Sequence, residues 1–269
     1  MATRLANVVD GWRARDAQGL AAGVTIRGIE DIHGAAVALR DVAAERGLRV
    51  AACSDIASKE PMVDGDGGII NGEIFGWMED GERWWEDTRL ALSSPLPRAC
   101  RYESEAFWCN ADGFRTHWRN KYLDEMSLVD FQKRALCHAA IVVPVHLSFG
   151  QIGAVSFPPA DRSRTDLDAD FAEHGDLLSS LSRRFVAGYV SAMRTHQWMP
   201  SDCKLSKREV ECLRWAAIGK TDREISLILS RSHATVRYHV HRAGEKLNSV
   251  NRSQTVFKAG QLGYLGGST

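Results

Sequence analysis

The sequence has no long hydrophobic run and only 7 prolines, and these features exclude several classes of protein. No segment of the 269 residues approaches the ~18 to 20 consecutive apolar residues of a membrane-spanning helix. Residues 1–11 lack the basic stretch and the following apolar stretch of a signal peptide, so we expect a cytoplasmic protein with no membrane partner. Glycine and proline together make up 30 residues, beside a 44% hydrophobic fraction, which excludes a collagen-like or disordered chain.

The cysteines lack the CxxC spacing of a zinc knuckle or a dithiol redox centre. The six are Cys53, Cys100, Cys109, Cys137, Cys203 and Cys212. We interpret them as reduced and mostly buried thiols, and we predict neither a metal site nor a cofactor. A thiol switch at Cys100, Cys109 or Cys137 is an alternative, because arginines at positions 98 and 101 flank the first of these and favour a thiolate.

The net charge of zero conceals an asymmetry along the chain. Residues 201–269 carry 12 Lys and Arg against 6 Asp and Glu, a net charge of +6. Residues 1–200 carry 22 basic against 28 acidic residues, a net charge of −6. A basic C-terminal module on an acidic body indicates a polyanion as the partner of that module.

Hydrophobic periodicity predicts an α+β fold. The predicted elements are a helix over 29–44, a strand over 48–53, a helix over 125–136, two strands over 139–147 and 152–157 joined by the turn 148–151, and a helix over 166–193. Because the two paired strands are apolar on both faces, we expect helices on both sides of the sheet. We therefore predict an N-terminal α/β/α sandwich over residues 1–194, a linker over 195–204, and a small all-α four-helix domain over 205–269.

The C-terminal segment contains three helix-start signals at short intervals. Ser206-x-x-Glu209 and Thr221-x-x-Glu224 are capping boxes, and Ser232 is placed to cap a third helix over 234–247. A fourth helix is expected over 253–262. Two short helices joined by a tight turn, with a basic face on the second, are typical of a helix-turn-helix that places one helix in the DNA major groove.

Residues off the apolar stripe of the third helix are the candidate DNA contacts. We expect Arg237 and His241 to contact base edges. We expect contacts with the DNA backbone from Thr221, Arg231, Ser232, Thr235, Tyr238, Arg242 and Lys246. A four-helix bundle whose charged face is merely solvated is the alternative.

The string LSKREVECLRWAAIGKTDREISLILSRSHATVRYHVHRAGEKLN over 205–248, followed by RSQTV, closely resembles the helix-turn-helix of LuxR-type transcriptional regulators. Trp215 followed by GKT is the form usual in the quorum-sensing branch of that family. The resemblance implies a sequence-specific transcriptional regulator with RNA polymerase as a partner. It also implies a homodimer, formed through the helix over 166–193 and the last helix, on an inverted repeat with half-sites ~10 bp apart.

The N-terminal segment 138–159 resembles the autoinducer-binding domain of the same sensors. In those sensors a Trp, a Tyr and an Asp-Pro pair, followed by a second Trp, hold an acyl-homoserine lactone. Pro95 falls on the proline of that motif, and Trp108 falls near its second Trp. Ser94, Trp85 and Gly81 replace the Asp, the Tyr and the first Trp. Losing the carboxylate removes a charge-assisted hydrogen bond of roughly 1.5 to 3 kcal/mol, so we expect a different small ligand, aromatic or lactone-like.

An unusually aromatic region supplies the candidate ligand pocket. The candidate aromatic lining is Trp77, Trp84, Trp85, Tyr102, Phe107 and Trp108. Arg89 or Ser94 is expected to supply a polar contact, and Ser156 to line the pocket from the sheet. The alternatives are that these tryptophans are core residues only, and that the domain binds a protein partner or leaves the factor constitutively active. Four scattered histidines occur without an HExxH, GxSxG or phosphate-loop motif, so we do not expect an enzyme.

Overall fold

The computed structural model describes residues 19–58, 60–78, 93–194 and 203–266. They form two compact units: the described residues up to Arg194, apart from Ser148–Gly150, make up the first, and those from 203 onward belong to the second. None of the helices in these ranges combines the length and the hydropathy that crossing a membrane requires.

The first unit alternates short helices with the strands of one sheet. Its elements are α1 (Ile32–Ala44), β1 (Ala51–Cys53), α2 (Pro95–Ala99), β2 (Phe107–Asn110), β3 (Gly113–Arg115), α3 (Lys121–Asp124), α4 (Phe131–Ala135), β4 (Ala139–His146), β5 (Ile152–Phe157) and α5 (Asp168–Met193). Single turns of 3₁₀ or π geometry lie at Ile29–Asp31 and Ile70–Ile74.

The five strands form an antiparallel sheet in the order β1-β5-β4-β2-β3. Val142 of β4 is paired with Phe107 on one side and with Ser156 on the other, which fixes the register at the centre of the sheet. Successive β4 side chains alternate between two cores: Ile141 packs with α1 and α5, and Val142 packs with α2, α3 and α4. Both faces are therefore covered by helices, which confirms the expected sandwich.

The long helix α5 packs closely against the sheet. Phe185 and Val186 are completely buried in its interface with the strands. A Cβ atom at Gly153 of β5 would lie only 2.6 Å from a methyl carbon of Val186, so only glycine permits this approach of helix and strand. The helix thereby forms the wall of the core on one side of the sheet.

Two predicted elements differ from the structure. The helix expected over 125–136 is wrong, because α3 ends at Asp124 and α4 begins only at Phe131. Asp130 and Leu136 adopt left-handed backbone conformations, with φ of 56° and 58°, and these interrupt the helical path despite its apolar periodicity. The strand expected over 48–53 is shorter than predicted, since Leu48 makes only an isolated bridge with Pro159.

Over residues 203–266 the second unit contains four helices, as the sequence predicts. They are α6 (Lys207–Ala217), α7 (Asp222–Ile228), α8 (His233–Lys246) and α9 (Arg252–Gln261). Leu213, Ile225 and Val236 bring three of these helices into a common buried core. The apolar stripes identified from periodicity thus face one another, and the polar stripe of α8 remains outside.

Candidate functional site

Side-chain caps fix where α6, α7 and α8 begin. The Ser206 hydroxyl accepts from the Glu209 N–H at 3.3 Å, and Thr221 accepts from the Glu224 N–H at the same distance. Ser232 caps α8 by accepting from the Thr235 N–H at 3.1 Å. These contacts satisfy amides that a helix cannot pair internally and set the angle at which α8 leaves the turn.

The outer face of α8 presents cationic and aromatic side chains. Arg237, Tyr238 and His241 are exposed, whereas Val236 and Val240 of the same helix are buried. Within the described residues, the Arg237 and Arg231 side chains make no hydrogen bond or ion pair. His241 lies 3.7 Å from a Glu245 carboxylate oxygen. The helix thus offers an unpaired guanidinium group on an accessible surface.

Other candidate DNA contacts already have partners inside the domain. Thr221 donates to Glu224 at 2.8 Å, Thr235 pairs with the Ser232 hydroxyl at 2.8 Å, and Arg242 pairs with Glu245. The Thr221 contacts and the nearby Lys220 ammonium lower the pKa of Glu224 to about 2. These exposed pairs are weak enough to exchange for phosphate contacts.

Lys246 differs from these residues because its partner is buried. Its ammonium donates to both Glu209 carboxylate oxygens, at 2.8 and 3.0 Å, and the Glu209 side chain is 6% exposed. Burial alone would raise the pKa of the Glu209 carboxyl, but hydrogen bonds from Lys246 and the Ser206 N–H outweigh burial and hold this pKa below its usual value. The Lys246 charge is therefore engaged within the fold, which gives it a structural role that the sequence analysis missed.

Helix α9 secures both ends of the α7–α8 pair. The buried Lys258 ammonium donates to the carbonyls of Leu247 and Asn248, at 3.1 and 2.6 Å, where α8 ends. Arg252 pairs with Asp222 in the first turn of α7 at 2.6 Å. A cation at a helix C-terminus satisfies free carbonyls and opposes the helix dipole. Lys258 and its neighbour Ala259 are both buried in α9. A lysine at a buried position of a helix is the feature of the sequence that indicates a structural role for Lys258.

The first unit contains an apolar cavity between the sheet and helices α2 and α4. Its empty space is about 810 Å³ when the part open to solvent is included. Its described apolar and thiol lining includes Ala51, Cys53, Ile56, Trp77, Leu96, Leu136, Cys137, Val142 and Ala154, and its polar lining includes Asp55, Ser94, Arg134 and Ser156. A mainly apolar cavity with a few polar groups is typical of a small-molecule site.

Three of the predicted ligand residues line this cavity. Ser94 is 9% exposed, and its hydroxyl makes no hydrogen bond with any described residue. The Trp77 indole N–H donates to the Val50 carbonyl, and the Arg49 guanidinium carbon lies 3.8 Å from the centre of its ring. The Ser156 hydroxyl lies 3.5 Å from the Ala51 carbonyl. The unpartnered Ser94 hydroxyl is the group best placed to bond a ligand.

The structure places the other predicted ligand residues elsewhere. Phe107 is buried on the cavity side of the sheet without lining the cavity, whereas Trp108 points to the opposite face, because neighbours on a strand alternate. The Trp108 indole N–H donates to Asp168 at 2.8 Å. Tyr102 is half exposed and stacks on Tyr122 with 5.3 Å between ring centres. Trp84, Trp85 and Arg89 lie outside the described residues.

Sequence reasoning missed several residues of the cavity wall. Arg134 donates to the Ser93 carbonyl at 2.6 and 2.9 Å, and to the Val129 carbonyl at 2.8 Å. It therefore ties the segment before α2 to the segment before α4. Asp55, just after β1, is the acidic residue among the described residues that line the cavity. The alternation of small residues along β5, at Ala154 and Ser156, was the sequence signal for an unfilled sheet face.

Burial makes the cysteines of this region poor redox switches. Cys53 and Cys137 line the cavity, and burial raises the pKa of each thiol to about 12. Burial also raises the pKa of Cys100 and of Cys109, and the lowering effect of Arg101 on Cys100 is smaller than the burial effect. Since the thiolate is the reactive form, this geometry argues against the thiol-switch alternative.

A family comparison identifies the second unit. Residues 203–259 match the family described as bacterial regulatory proteins, luxR family. These residues are a luxR-family domain. The match covers the capped helices α6, α7 and α8 and most of α9, so the luxR domain contains the exposed Arg237 face described above.

Curated relatives extend the similarity towards the N-terminus. The chain is 35% identical over 179 residues to the transcriptional activator AhyR of Aeromonas hydrophila, covering 65% of this chain and 66% of AhyR. It is 33% identical over 127 residues to the transcriptional activator VanR of Vibrio anguillarum, covering 47% and 52%. It is 51% identical over 140 residues to VjbR of Brucella ovis, named a quorum sensing-dependent transcriptional regulator, covering 51% and 52%.

The matched segments span about half to two thirds of these relatives' own lengths. All three relatives are named as transcriptional regulators and none as an enzyme, in agreement with the sequence analysis. Among solved structures, Escherichia coli SdiA is similar with a TM-score of 0.32 and 20% identity, over 70% of this chain and 93% of SdiA.

Proposed function

We propose that this protein is a DNA-binding transcriptional regulator whose affinity for DNA is controlled by a small molecule in the N-terminal cavity. DNA binding, the first part of this proposal, is supported by the α7–turn–α8 unit of the luxR domain, which exposes Arg237 and His241 on one face. Control by a small ligand, the second part, is supported by the apolar cavity, in which the Ser94 hydroxyl has no hydrogen-bond partner among the described residues. The relatives' names support regulation of transcription.

Within the DNA half, α8 is the recognition helix. Arg237 and His241 contact base edges, because they project from the exposed face and Arg237 has no competing partner in the described chain. Phosphates are contacted by Thr221 at the start of α7, by Arg231 and Ser232 just before α8, and by Thr235, Tyr238 and Arg242 of α8. Lys246 acts by holding α8 against α6 through Glu209.

Within the ligand half, the cavity selects against the usual acyl-homoserine lactone pose. Ser94 stands where the autoinducer-binding motif has a carboxylate, and its hydroxyl either donates to or accepts from a ligand. Ser156 adds a second hydroxyl from the sheet. The bound ligand shifts the protein toward the conformation that binds the ligand more tightly. Because the two conformations differ in affinity for DNA, ligand binding changes DNA affinity by the coupling free energy between the two sites.

The regulator binds DNA as a homodimer on an inverted repeat and contacts RNA polymerase. Phe257 of α9 is 59% exposed and Val250 before α9 is 89% exposed, and an apolar surface of this kind supports self-association. Two copies related by a two-fold axis present two α8 helices to half-sites ~10 bp apart.

The proposal is tested by salt-titrated DNA binding to genomic fragments from around the protein's own gene, with and without an organic extract of the native culture. We expect specific binding that changes with the extract. Ser94→Ala should weaken the response to the extract about fivefold to tenfold without lowering Tm, because this hydroxyl makes no hydrogen bond with any residue that the structure describes. Ser104→Ala, on the exposed surface, is the matched control.

Binding that is specific but indifferent to the extract, and unchanged in Ser94→Ala, would remove the ligand half. A protein partner or constitutive activity would then take its place. Binding with no preference among DNA fragments at any salt concentration would also reject sequence-specific DNA binding.

A further inference from the structure

The part of the sheet that borders the apolar cavity carries small side chains. Ala51 of β1 is paired with Ser156 of β5, and Cys53 is paired with Ala154 on the same two strands. Paired residues of antiparallel strands point to the same face of a sheet, and all four of these residues line the cavity. We call these four residues the floor of the cavity.

The floor has the footprint of a small ring system. Side chains that face each other across an antiparallel pair are about 5 Å apart, and residues two positions apart on one strand are about 7 Å apart. None of the four side chains has more than one heavy atom beyond its Cβ atom, so no ridge divides the floor. A planar molecule can therefore contact the whole floor with one face, and the attraction of its many atom pairs adds up.

The other walls make the cavity a slot that is in place before a ligand binds. Leu96 of α2 and Leu136 after α4 line it from the helical side. Trp77 borders it as well, and its indole N–H donates to the Val50 carbonyl. Because this hydrogen bond fixes the position of the indole, an aromatic wall is available to a ligand at little cost in conformational entropy.

Cys53 contributes a polarisable sulfur atom to the floor. Burial raises the pKa of its thiol to about 12, so the thiol is neutral near pH 7. A neutral sulfur makes favourable contacts with aromatic rings. The floor is therefore apolar except for the Ser156 hydroxyl, and the unpartnered Ser94 hydroxyl offers a polar contact from the α2 side.

We propose that the ligand is a planar, fused-ring aromatic molecule that lies on the floor, with a polar substituent that hydrogen-bonds with the Ser94 hydroxyl. This inference rests on the proposed ligand control and specifies the class of ligand. A rigid ring loses little conformational freedom on binding, whereas a flexible acyl chain loses the freedom of each rotatable bond. The undivided floor and the fixed Trp77 ring thus favour a ring system over a chain.

The test uses the full-length chain and four neutral probes with ten carbon atoms each. These are 1-naphthol, which is planar, 1-decalol, its saturated and puckered counterpart, 1-decanol, a flexible chain, and naphthalene, which lacks the hydroxyl. We expect calorimetry to show 1-naphthol binding at least about tenfold more tightly than 1-decalol and 1-decanol, and about fivefold more tightly than naphthalene. Burial of apolar area alone predicts that 1-decanol binds more tightly than 1-naphthol, because 1-decanol has more apolar surface.

Ala154→Leu tests the floor directly. The larger side chain occupies the empty space above the floor, so it should weaken 1-naphthol binding at least about tenfold without lowering Tm. Ala111→Leu is the control for binding, since Ala111 is exposed in the turn between β2 and β3. Ala140→Leu is the control for packing: Ala140 is completely buried on the same side of the sheet without lining the cavity, so its enlargement should lower Tm.

Three results would overturn the inference. If 1-decalol or 1-decanol bound as tightly as 1-naphthol, the cavity would not select a planar ring, although it would remain an apolar ligand site. An unchanged affinity of Ala154→Leu for 1-naphthol would show that the ring does not lie on the floor, and failure of all four probes to bind would reject this ligand class.

Two features of the design keep these outcomes separate. The comparison of probes uses the unmodified chain, so it decides the question even if Ala154→Leu does not fold. The extract experiment with Ser94→Ala addresses ligand control without these probes, so the failure of either idea is recognisable by itself.

Discussion

Lys246 and Glu209 form a partly buried ion pair that joins the end of α8 to the start of α6. Nζ lies 2.8 and 3.0 Å from the two carboxylate oxygens, and the Glu209 side chain is 6% exposed. Glu209 also accepts from the Ser206 N–H at 2.7 Å in the capping box of α6. One carboxylate therefore secures both the start of α6 and the position of the C-terminal end of α8.

Lys246→Met should destabilise the luxR domain. Removing the ammonium leaves a buried carboxylate without its cation, and we expect a loss of about 1 to 3 kcal/mol in the free energy of unfolding, measured by denaturant titration. Lys207→Met on α6 is the control, because Lys207 is exposed and has no ion pair within the described residues.

The double variant Glu209→Gln with Lys246→Met should recover part of that loss, since it removes the uncompensated charge. If Lys246→Met left stability unchanged but reduced DNA affinity on all sequences equally, Lys246 would be a phosphate contact, as the sequence first indicated.

The same carboxylate predicts a pH dependence of stability. The pKa of Glu209 in the folded domain is lowered from 4.5, so the pair stabilises the fold above that value. The stabilisation should fade as the pH falls through the lower folded-state pKa, because protonation removes the negative charge that Lys246 and the Ser206 N–H bind.

Hydrogen exchange of α6 amides between pH 3 and 6 measures this dependence. Glu209→Gln should flatten the profile, whereas Glu211→Gln, at a more exposed pair with Arg208, should leave most of it in place. An identical slope in Glu209→Gln and the unmodified protein would assign the pH dependence to other carboxylates.

The contrast between Ser206 and Lys246 shows which features the sequence reveals. A cap such as Ser206 acts over three residues, so spacing alone predicts it, and the structure confirms the caps of α6, α7 and α8. The Lys246–Glu209 pair joins residues 37 positions apart, and no local pattern indicates it. The sequence shows Lys246 as a basic residue near an exposed face, and only the packing of α6 against α8 gives it a partner.

The apolar cavity of the first unit was harder to predict for the same reason. The sequence identifies an aromatic region, but the face that each side chain occupies depends on strand register. In β2 the one-residue alternation places Phe107 on the cavity side and Trp108 on the opposite side. Ala154 and Ser156 of β5 line the cavity because their side chains are too small to fill the space beside the sheet. The amino-acid composition alone does not reveal such a space.

Phe257→Asp should weaken the proposed dimer. The side chain is 59% exposed on α9, and a carboxylate placed in an apolar interface loses hydration without gaining a partner. We expect the dimer dissociation constant to rise at least about tenfold in sedimentation velocity, a change of about 1.4 kcal/mol. Leu227→Asp is the control, because Leu227 is 75% exposed on α7. A dimer that persisted in Phe257→Asp would place the interface on other surfaces.

Arg237 and Arg231 should contribute differently to DNA binding, although both are exposed arginines without a partner in the described chain. Arg237→Ala should cost about 1 to 3 kcal/mol on the preferred operator and relax the preference at one base pair, because the base edge loses its donor. Arg231→Ala should weaken all sequences nearly alike and reduce the salt slope by about 1, since a phosphate contact releases counterions.

Fluorescence anisotropy on the operator and on single-base variants, at several salt concentrations, separates the two effects. Arg214→Ala is the control, as Arg214 is exposed on α6, outside the proposed contact set, and forms no ion pair within the described chain. If Arg237→Ala and Arg231→Ala lowered affinity equally for every operator and changed the salt slope equally, α8 would bind the DNA backbone without reading its bases.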